Sequence, residues 1–380
     1  MRSSKVLFAL LLLAFMAPYK TFAQLPLSDK ASISLLTCGP GDELYSIFGH
    51  TALRVYDPAS ATDIVFNYGT FDFDTPNFYM KFVQGDLKYF VSVSSYRDFV
   101  DTYKYFERDV YEQVLNLTPG QKQKIANHLT EVLTTDKRFY TYKFIHRNCT
   151  TMVADVINET IPQKISLDIP DKGKTYRKIL YGYVEDYYFE NLGISLAFGH
   201  PTDDESNLLF LPLQLLQGVE KTTVNGKPLA QPVIEVYKTS LSQAGAPLWN
   251  NIWVFSAALL VILLFSGNRT VYMSFLALSG LLGLLFAFLG FFSQHGELLW
   301  NYNTLLLNPL FLVLLYFIIR NNRKWIVNMA YLCLGLIVVY MIIMANKPHL
   351  VAVLPIIVLI VGVLVRILIK ARKAPHLQIR

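Results

Sequence analysis

The hydrophobic positions of this chain follow three different rhythms, and each marks a different kind of element. The first is a short unbroken run, Val6 to Ala17, placed after Arg2 and Lys5 and before Thr21-Phe22-Ala23. Those are the three parts of a signal peptide, with cleavage expected before Gln24. About twelve apolar residues are too few to span a bilayer.

The second rhythm is alternation. Ile33–Thr37, Thr51–Tyr56, Asp63–Tyr68, Leu87–Ser94 and Val110–Leu117 are rich in branched and aromatic residues and predict strands. A turn-rich link containing Gly39-Pro40-Gly41 and ending at Gly49 joins the first two, and a helical stretch near Tyr96–Phe106 separates the last two. A helical period follows Thr118-Pro119, with Ile125, Leu129, Val132 and Leu133 on one face. It returns after Asn148, a candidate N-cap, with Met152, Val153, Val156 and Ile157. Between the two helices lies a basic and aromatic run, Lys137 to Arg147. Residues 170–247 are less regular: an aromatic stretch around Tyr181–Phe189, an acidic loop at Asp203-Asp204-Glu205, and a hairpin turning at Asn225-Gly226.

The third rhythm is nearly continuous hydrocarbon from Leu248 onward. Five segments are read as spans: Trp249–Ser266, Val271–Phe292, Asn303–Ile319, Ile326–Ala345 and Leu350–Ile369. Arg269, then Arg320, Arg323 and Lys324, then Lys370, Arg372 and Lys373 occupy alternate connections. The loop Ser293 to Tyr302 has no Lys or Arg, and the fourth loop has only Lys347. The positive connections and the C-terminus are therefore expected in the cytoplasm, which puts residues 24–247 outside, in agreement with the signal peptide. The net charge of +6 largely reflects this loop bias, so no nucleic-acid partner is expected from it.

The chemistry centres on Cys149, at the start of a predicted helix. A thiol there meets the positive end of the helix dipole, and a neighbouring imidazole would lower its pKa further as a thiolate–imidazolium pair. The unpaired N–H groups of the first turn would stabilise the oxyanion of an acyl-transfer intermediate. Among the histidines, His50 follows Gly49 and opens a strand, a rigid mounting for a base. His128 borders the apolar stripe of its helix, and His146 stands only three residues before the thiol. His200 with Asp203, Asp204 and Glu205 has no defensible metal-ligand spacing, so no metal is expected. A papain-like site also needs a group that orients the imidazole; Asn67 is the first candidate and Asp72 the second. Cys38 and Cys149 also admit a disulfide outside the cytoplasm, and Cys333 falls inside the fourth span.

The order of parts, histidine before cysteine, resembles the circularly permuted papain-like thiol enzymes, whose lipid-active members are lecithin–retinol acyltransferase-like. Thr37-Cys38-Gly39-Pro40-Gly41, Phe48-Gly49-His50-Thr51-Ala52-Leu53-Arg54-Val55, Asn67-Tyr68-Gly69-Thr70-Phe71-Asp72-Phe73 and Asn148-Cys149-Thr150-Thr151 resemble the periplasmic domain of Lnb-type bacterial lipoprotein N-acyltransferases. His295 and the stretch from Asn301-Tyr302-Asn303 to Asn308-Pro309-Leu310 resemble that family's transmembrane domain. The run Phe144-Ile145-His146-Arg147 departs from the acidic residue expected before the cysteine.

The resemblance implies an α+β, permuted papain-like periplasmic domain followed by a five-helix transmembrane domain. The expected divisions are a signal peptide at 1–23, a thiol acyltransferase domain at 24–247, spans at 248–370 and a cytoplasmic tail at 371–380. Cys149 is then the nucleophile, His50 the base and Asn67 its orienter. Cys38, Arg54, His146, Arg147, His295, Asn301, Asn303 and Asn308 are candidate substrate contacts, with Arg54 and Gly69 also read as fold support. Asn303 and Asn308 are expected either to line a lipid portal below His295 and Glu297 or to hydrogen-bond between helices. The implied partners are a phospholipid acyl donor, a diacylated lipoprotein acceptor and the bacterial inner membrane. No cofactor is expected, because passing an acyl chain from ester through thioester to amide is downhill. Two other readings remain: a membrane-tethered cell-wall amidase or peptidase, and a non-enzymatic assembly or sensor protein with Cys38 and Cys149 disulfide-bonded.

Overall fold

Seven strands build the soluble half around a central pair. In the computed structural model, which describes residues 26–240 and 246–373, these are β1 (Ser32–Cys38), β2 (His50–Asp57), β3 (Thr62–Thr70), β4 (Lys88–Ser95), β5 (Val110–Val114), β6 (Phe139–Thr141) and β9 (Ile234–Tyr237). They run antiparallel in the order β6-β4-β3-β2-β1-β5-β9. The signal peptide expected at 1–23 lies outside the described residues, as does most of the expected cytoplasmic tail. The remaining strands, β7 (Thr223–Val224) and β8 (Lys227–Pro228), form the predicted hairpin. Its turn places Asn225 and Gly226 at φ 51° and 77°, the left-handed pair that such a turn needs.

Alternation along β1 sorts the two faces of the sheet. Ile33 and Leu35 point to the main core, with Leu53, Val55, Phe66 and Tyr68 from the neighbouring strands. Leu36 and Cys38 point the other way, with Ala52 and Val65. The soluble helices in chain order are α1 (Phe78–Gln84), α2 (Tyr96–Tyr105), α3 (Pro119–Thr134), α4 (Cys149–Asn158), α5 (Tyr176–Tyr183), α6 (Tyr188–Ala197) and α7 (Pro212–Lys221). Helices α3 and α4 cover the main-core face, and α2 covers the opposite face through Phe99 and Val100. Thr118 starts α3 with a capping box closed by Gln121.

The membrane half holds α8 (Ile252–Phe265), α9 (Arg269–Phe292), α10 (Asn303–Leu306), α11 (Leu310–Ile319), α12 (Arg323–Met344) and α13 (Leu350–Lys373). Among the described residues, four stretches are long and apolar enough to cross a bilayer: Arg269–Phe292, Gly296–Ile319, Arg323–Met344 and Leu350–Lys373. A fifth apolar helix, α8, is shorter than these four. Helix α8 has 14 residues, or about 21 Å of rise, against a hydrocarbon core of about 30 Å. The third expected span also differs, being broken between α10 and α11 at Leu307-Asn308-Pro309. Proline cannot donate a helical N–H there, and Gly283 of α9 leaves the space that the displaced Leu307 carbonyl occupies.

The segment from 170 to 240, hard to read in the sequence, fastens the two halves. The Tyr188 hydroxyl donates to the Ala352 carbonyl at 2.8 Å, and Leu192 is buried among the membrane helices. Arg177, fully buried, pairs with Asp203 at 2.7 Å, and Lys347 reaches the same carboxylate at 2.9 Å. The connections around 293–302 and 345–349 therefore meet the soluble domain. At the opposite end of the bundle Arg323 bonds the Arg372 carbonyl, Arg366 bonds the Leu263 carbonyl in the last turn of α8, and Lys370 bonds the Gly267 carbonyl just after it.

Candidate active site

Asn148 determines where the thiol stands. Its Oδ1 accepts the N–H groups of Thr150 and Thr151 at 2.9 and 3.0 Å, and its own N–H donates to the Thr151 hydroxyl. Its Nδ2 donates to the Phe144 and Phe210 carbonyls at 2.8 and 3.0 Å, so this buried amide is fully satisfied. The capping box fixes Cys149 as the first residue of α4. The N–H groups of Thr150 and Thr151, expected to hold an oxyanion, are engaged by this cap.

The sulfur lies where β2 and β3 part. Their ladder runs out at Ala52 opposite Asn67, and β3 shifts register between Asn67 and Thr70. Gly69, at φ 89°, faces the helix start: a Cβ there would stand 3.3 Å from the Cys149 Cβ and 3.9 Å from the Tyr140 hydroxyl. The backbone N–H of Thr51, the residue after His50, lies near enough to the thiol to favour its charged form. The Thr51 and Thr150 hydroxyls meet at 3.2 Å, and Phe48 packs edge-on against Phe144 at 5.5 Å. The residues flanking the base and those flanking the thiol are thus joined on both sides.

His50 opens β2 opposite Cys38. Its Nε2 lies 3.4 Å from the Asn67 Oδ1, whose amide nitrogen lies 3.4 Å from the Ser94 hydroxyl. These are long contacts, but they assign the proton to Nε2 and leave Nδ1 free to accept one. Asn67 therefore touches the imidazole, whereas Asp72 sits in the turn beyond β3. Tyr103 of α2 stacks on the His50 ring at 6.3 Å, and its hydroxyl lies within electrostatic reach of the Cys38 sulfur. All three cysteines are free thiols.

Both reactive groups rest neutral. Burial pushes the His50 imidazole down to about 4, helped by the nearby Arg108 guanidinium and opposed by the Asn67 contact. Burial raises the Cys149 thiol above its ordinary value, against the lowering effect of the Thr51 N–H and of the Thr150 hydroxyl. The preformed ion pair expected from sequence is not the resting state, because a crowded pocket disfavours both charges. Among the described residues no hydrogen bond joins imidazole and thiol directly.

The remaining candidates fall into two groups. Arg54 is engaged by Asp63 and Glu112 and lies 3.4 Å over the Tyr96 ring, tying β2, β3 and β5 together. His146 and Arg147 are exposed on the loop before Cys149, the latter over the Tyr140 ring at 5.6 Å. Neither His128 on α3 nor His200, 4.0 Å from Asp204, is placed with this cluster. His295, Asn301, Asn303 and Asn308 gather at the seam with the membrane half. Asn301 and Asn303 donate to the Leu196, Ala197 and Ser195 carbonyls, and Tyr340 donates to Asn303 at 2.9 Å. Asn308 donates to the Leu305 carbonyl at 3.3 Å. These asparagine contacts are of the hydrogen-bonding kind that was the alternative expectation to a portal.

Two polar groups stand in places that sequence reasoning did not give them, Glu297 having been read only as a neighbour of the expected portal. The Tyr140 hydroxyl, on β6, is buried with no hydrogen-bond partner beside Gly69 and Cys149. Glu297, 2% exposed, reaches from the membrane half to the Ile145 N–H at 2.8 Å. Tyr140 stood within the basic and aromatic run before the cysteine, which offered a position but no role.

Residues 20–182 match the Lnb N-terminal periplasmic domain and residues 247–374 match the Lnb transmembrane domain. No curated protein and no solved structure matches the chain. With the two domains in that order, and the His50 strand and the Asn148-Cys149 helix start inside the first of them, the chain belongs to the Lnb family, as a membrane protein with a periplasmic domain.

Proposed function

We propose that this protein is a lipoprotein N-acyltransferase of the inner membrane, with a permuted papain-like thiol site and a cytoplasmic C-terminus. The observation that carries the reading is the junction of the His50 strand with the Cys149 helix start, where the Thr51 and Thr150 hydroxyls meet at 3.2 Å, in a domain bolted to membrane helices.

In the first half-reaction the sulfur attacks an ester carbonyl of a phospholipid while His50 Nδ1 takes the thiol proton. Because both groups start neutral, transfer and attack proceed together, the imidazole acting as a general base. The Cys149 N–H and the Tyr140 hydroxyl are the donors nearest the developing oxyanion. The ester C–O bond then breaks, and His50 returns its proton to the lysophospholipid oxygen, leaving an acyl thioester. In the second half-reaction the α-amine of a diacylglyceryl cysteine attacks that thioester. An amide forms, the C–S bond breaks, and the amine proton passes through His50 to the sulfur. The hydrogen bonds at this site are long, as apo catalytic contacts commonly are before substrate tightens them.

The test is a mass measurement on the purified full-length protein after incubation with a defined phospholipid. An acyl-sized adduct on Cys149, absent in Cys149→Ala and discharged by a diacylated lipopeptide, is expected. A wild-type protein that never gains the adduct but cleaves a peptidoglycan crosslink would instead establish the amidase reading.

A further inference from the structure

Helix α1 buries none of its residues, and its outward side chains are apolar, with Tyr79 77% and Met80 59% exposed. Yet it is firmly held at its C-terminal end. Ser293 donates to the Val83 carbonyl at 2.7 Å, the Gln294 N–H to the Gln84 carbonyl at 2.8 Å, and the His295 ring meets the Phe82 carbonyl at 2.9 Å. Gly85 closes the helix at φ 69° and lies so near that a Cβ would stand 3.0 Å from the His295 nitrogen. These three partners directly follow α9, one of the four bilayer-length helices.

The last turns of α9 expose Phe288, Phe291 and Phe292, and the polar groups beyond them are turned onto the carbonyls of α1. The apolar outside of a membrane helix therefore continues onto α1. From α1 a run of ring contacts leads inward: Phe78 to Phe73 at 4.9 Å, Phe73 to Phe71 at 4.9 Å, Phe71 to Tyr89 at 5.1 Å, and Tyr89 to Tyr142 at 4.3 Å. Phe71 stands two residues from Gly69, which touches Cys149. Tyr89 and Tyr142 both lie within electrostatic reach of that sulfur.

We propose that α1 is seated in the outer leaflet of the membrane, and that the aromatic track behind it leads a phospholipid acyl chain to Cys149. Aromatic and thioether side chains suit that depth, where one end of a ring meets hydrocarbon and the other meets headgroups. The track rests on the acyl-transfer reading; the seat does not.

Two measurements on full-length protein in phosphatidylethanolamine–phosphatidylglycerol nanodiscs separate them. A fluorophore on Tyr79→Cys, in a Cys149→Ser background whose Cys38 and Cys333 are buried, should be quenched at least twofold more by nitroxide-labelled lipid than by aqueous iodide. Iodide quenching without lipid quenching overturns the seat. In the otherwise unaltered chain, Tyr79→Glu with Met80→Glu should lower thioester formation at Cys149 at least tenfold, with iodoacetamide alkylation of Cys149 as the fold control. Equal thioester formation in that variant overturns the track. A wild-type chain that forms no thioester removes the acyl-transfer reading and the track with it, while lipid quenching still decides the seat.

Discussion

The carboxylate of Glu297 accepts the backbone N–H of Ile145 at 2.8 Å, joining positions 152 apart in the chain, one in the membrane half and one four residues before Cys149. Its second oxygen faces His295 Nδ1 at 3.8 Å, and both of those atoms lack a hydrogen-bond partner. Glu297→Ala leaves the Ile145 N–H buried and unpaired, a loss of about 1–3 kcal/mol in unfolding free energy. It should also slow acylation of Cys149, because the loop that carries Asn148 loses its tether. Glu297→Gln keeps an acceptor and should recover most of both. Thermal unfolding and acylation rates measured on the pair check this; equal damage from Ala and Gln would show that the charge matters and the acceptor does not.

The pH dependence follows from the two neutral groups. The folded imidazole of His50 sits near 4, whereas an unfolded one takes a proton near 6.5. Between those values the unfolded chain binds more protons, so His50 makes stability fall as pH drops from about 6.5 toward 4 and level off below. Acylation needs the bare Nδ1 and should hold until pH approaches the folded value. The Cys149 thiol, raised by burial, should show an iodoacetamide alkylation midpoint above the ordinary thiol value of about 8.5. An alkylation midpoint below 7 would reveal a preformed thiolate–imidazolium pair and defeat the general-base step.

Asn67 offers a test that separates orientation from fold. Asn67→Ala frees the imidazole and should cut the acylation rate about a hundredfold, the lower end of what a positioned base supplies. Asn67→Asp retains the acceptor but adds a negative charge 3.4 Å from Nε2, favouring the imidazolium. Its acid limb should therefore move to higher pH than that of the wild type. A rate loss in both variants with no movement of the pH profile would reduce Asn67 to a structural role.

Much of this architecture was legible because local rules and tertiary packing agree. The branched alternation of β1 to β3, the Thr118 and Asn148 caps and the Asn225-Gly226 turn each carry their own stereochemical reason, and each appears where it was expected. Helix α1 was missed since seven residues, FYMKFVQ, show no apolar stripe facing a core: Phe78 packs at the core's edge, most of the others face outward, and the C-terminal end is held through its carbonyls. The broken third span was read as continuous because Asn308-Pro309 interrupts hydropathy only briefly, while the break is permitted by Gly283 on another helix. The protonation of His50 and Cys149 was not legible, because it depends on burial and, for His50, on Arg108, which no spacing rule reports.

Tyr140 tests the oxyanion assignment with two readouts that move in opposite senses. Its hydroxyl is buried and unpaired, a standing cost to the folded state, and it lies beside Gly69 at the Cys149 end of α4. Tyr140→Phe keeps the ring that packs in the main core and removes only that hydroxyl. Stability should stay level or rise by up to about 1 kcal/mol, as replacing an unsatisfied polar atom by hydrogen predicts. The acylation rate should fall about a hundredfold, the usual loss on removing one donor to a developing oxyanion. Losing stability and rate together would mean that the hydroxyl has a structural partner. An unchanged rate would move the oxyanion to the Cys149 N–H alone.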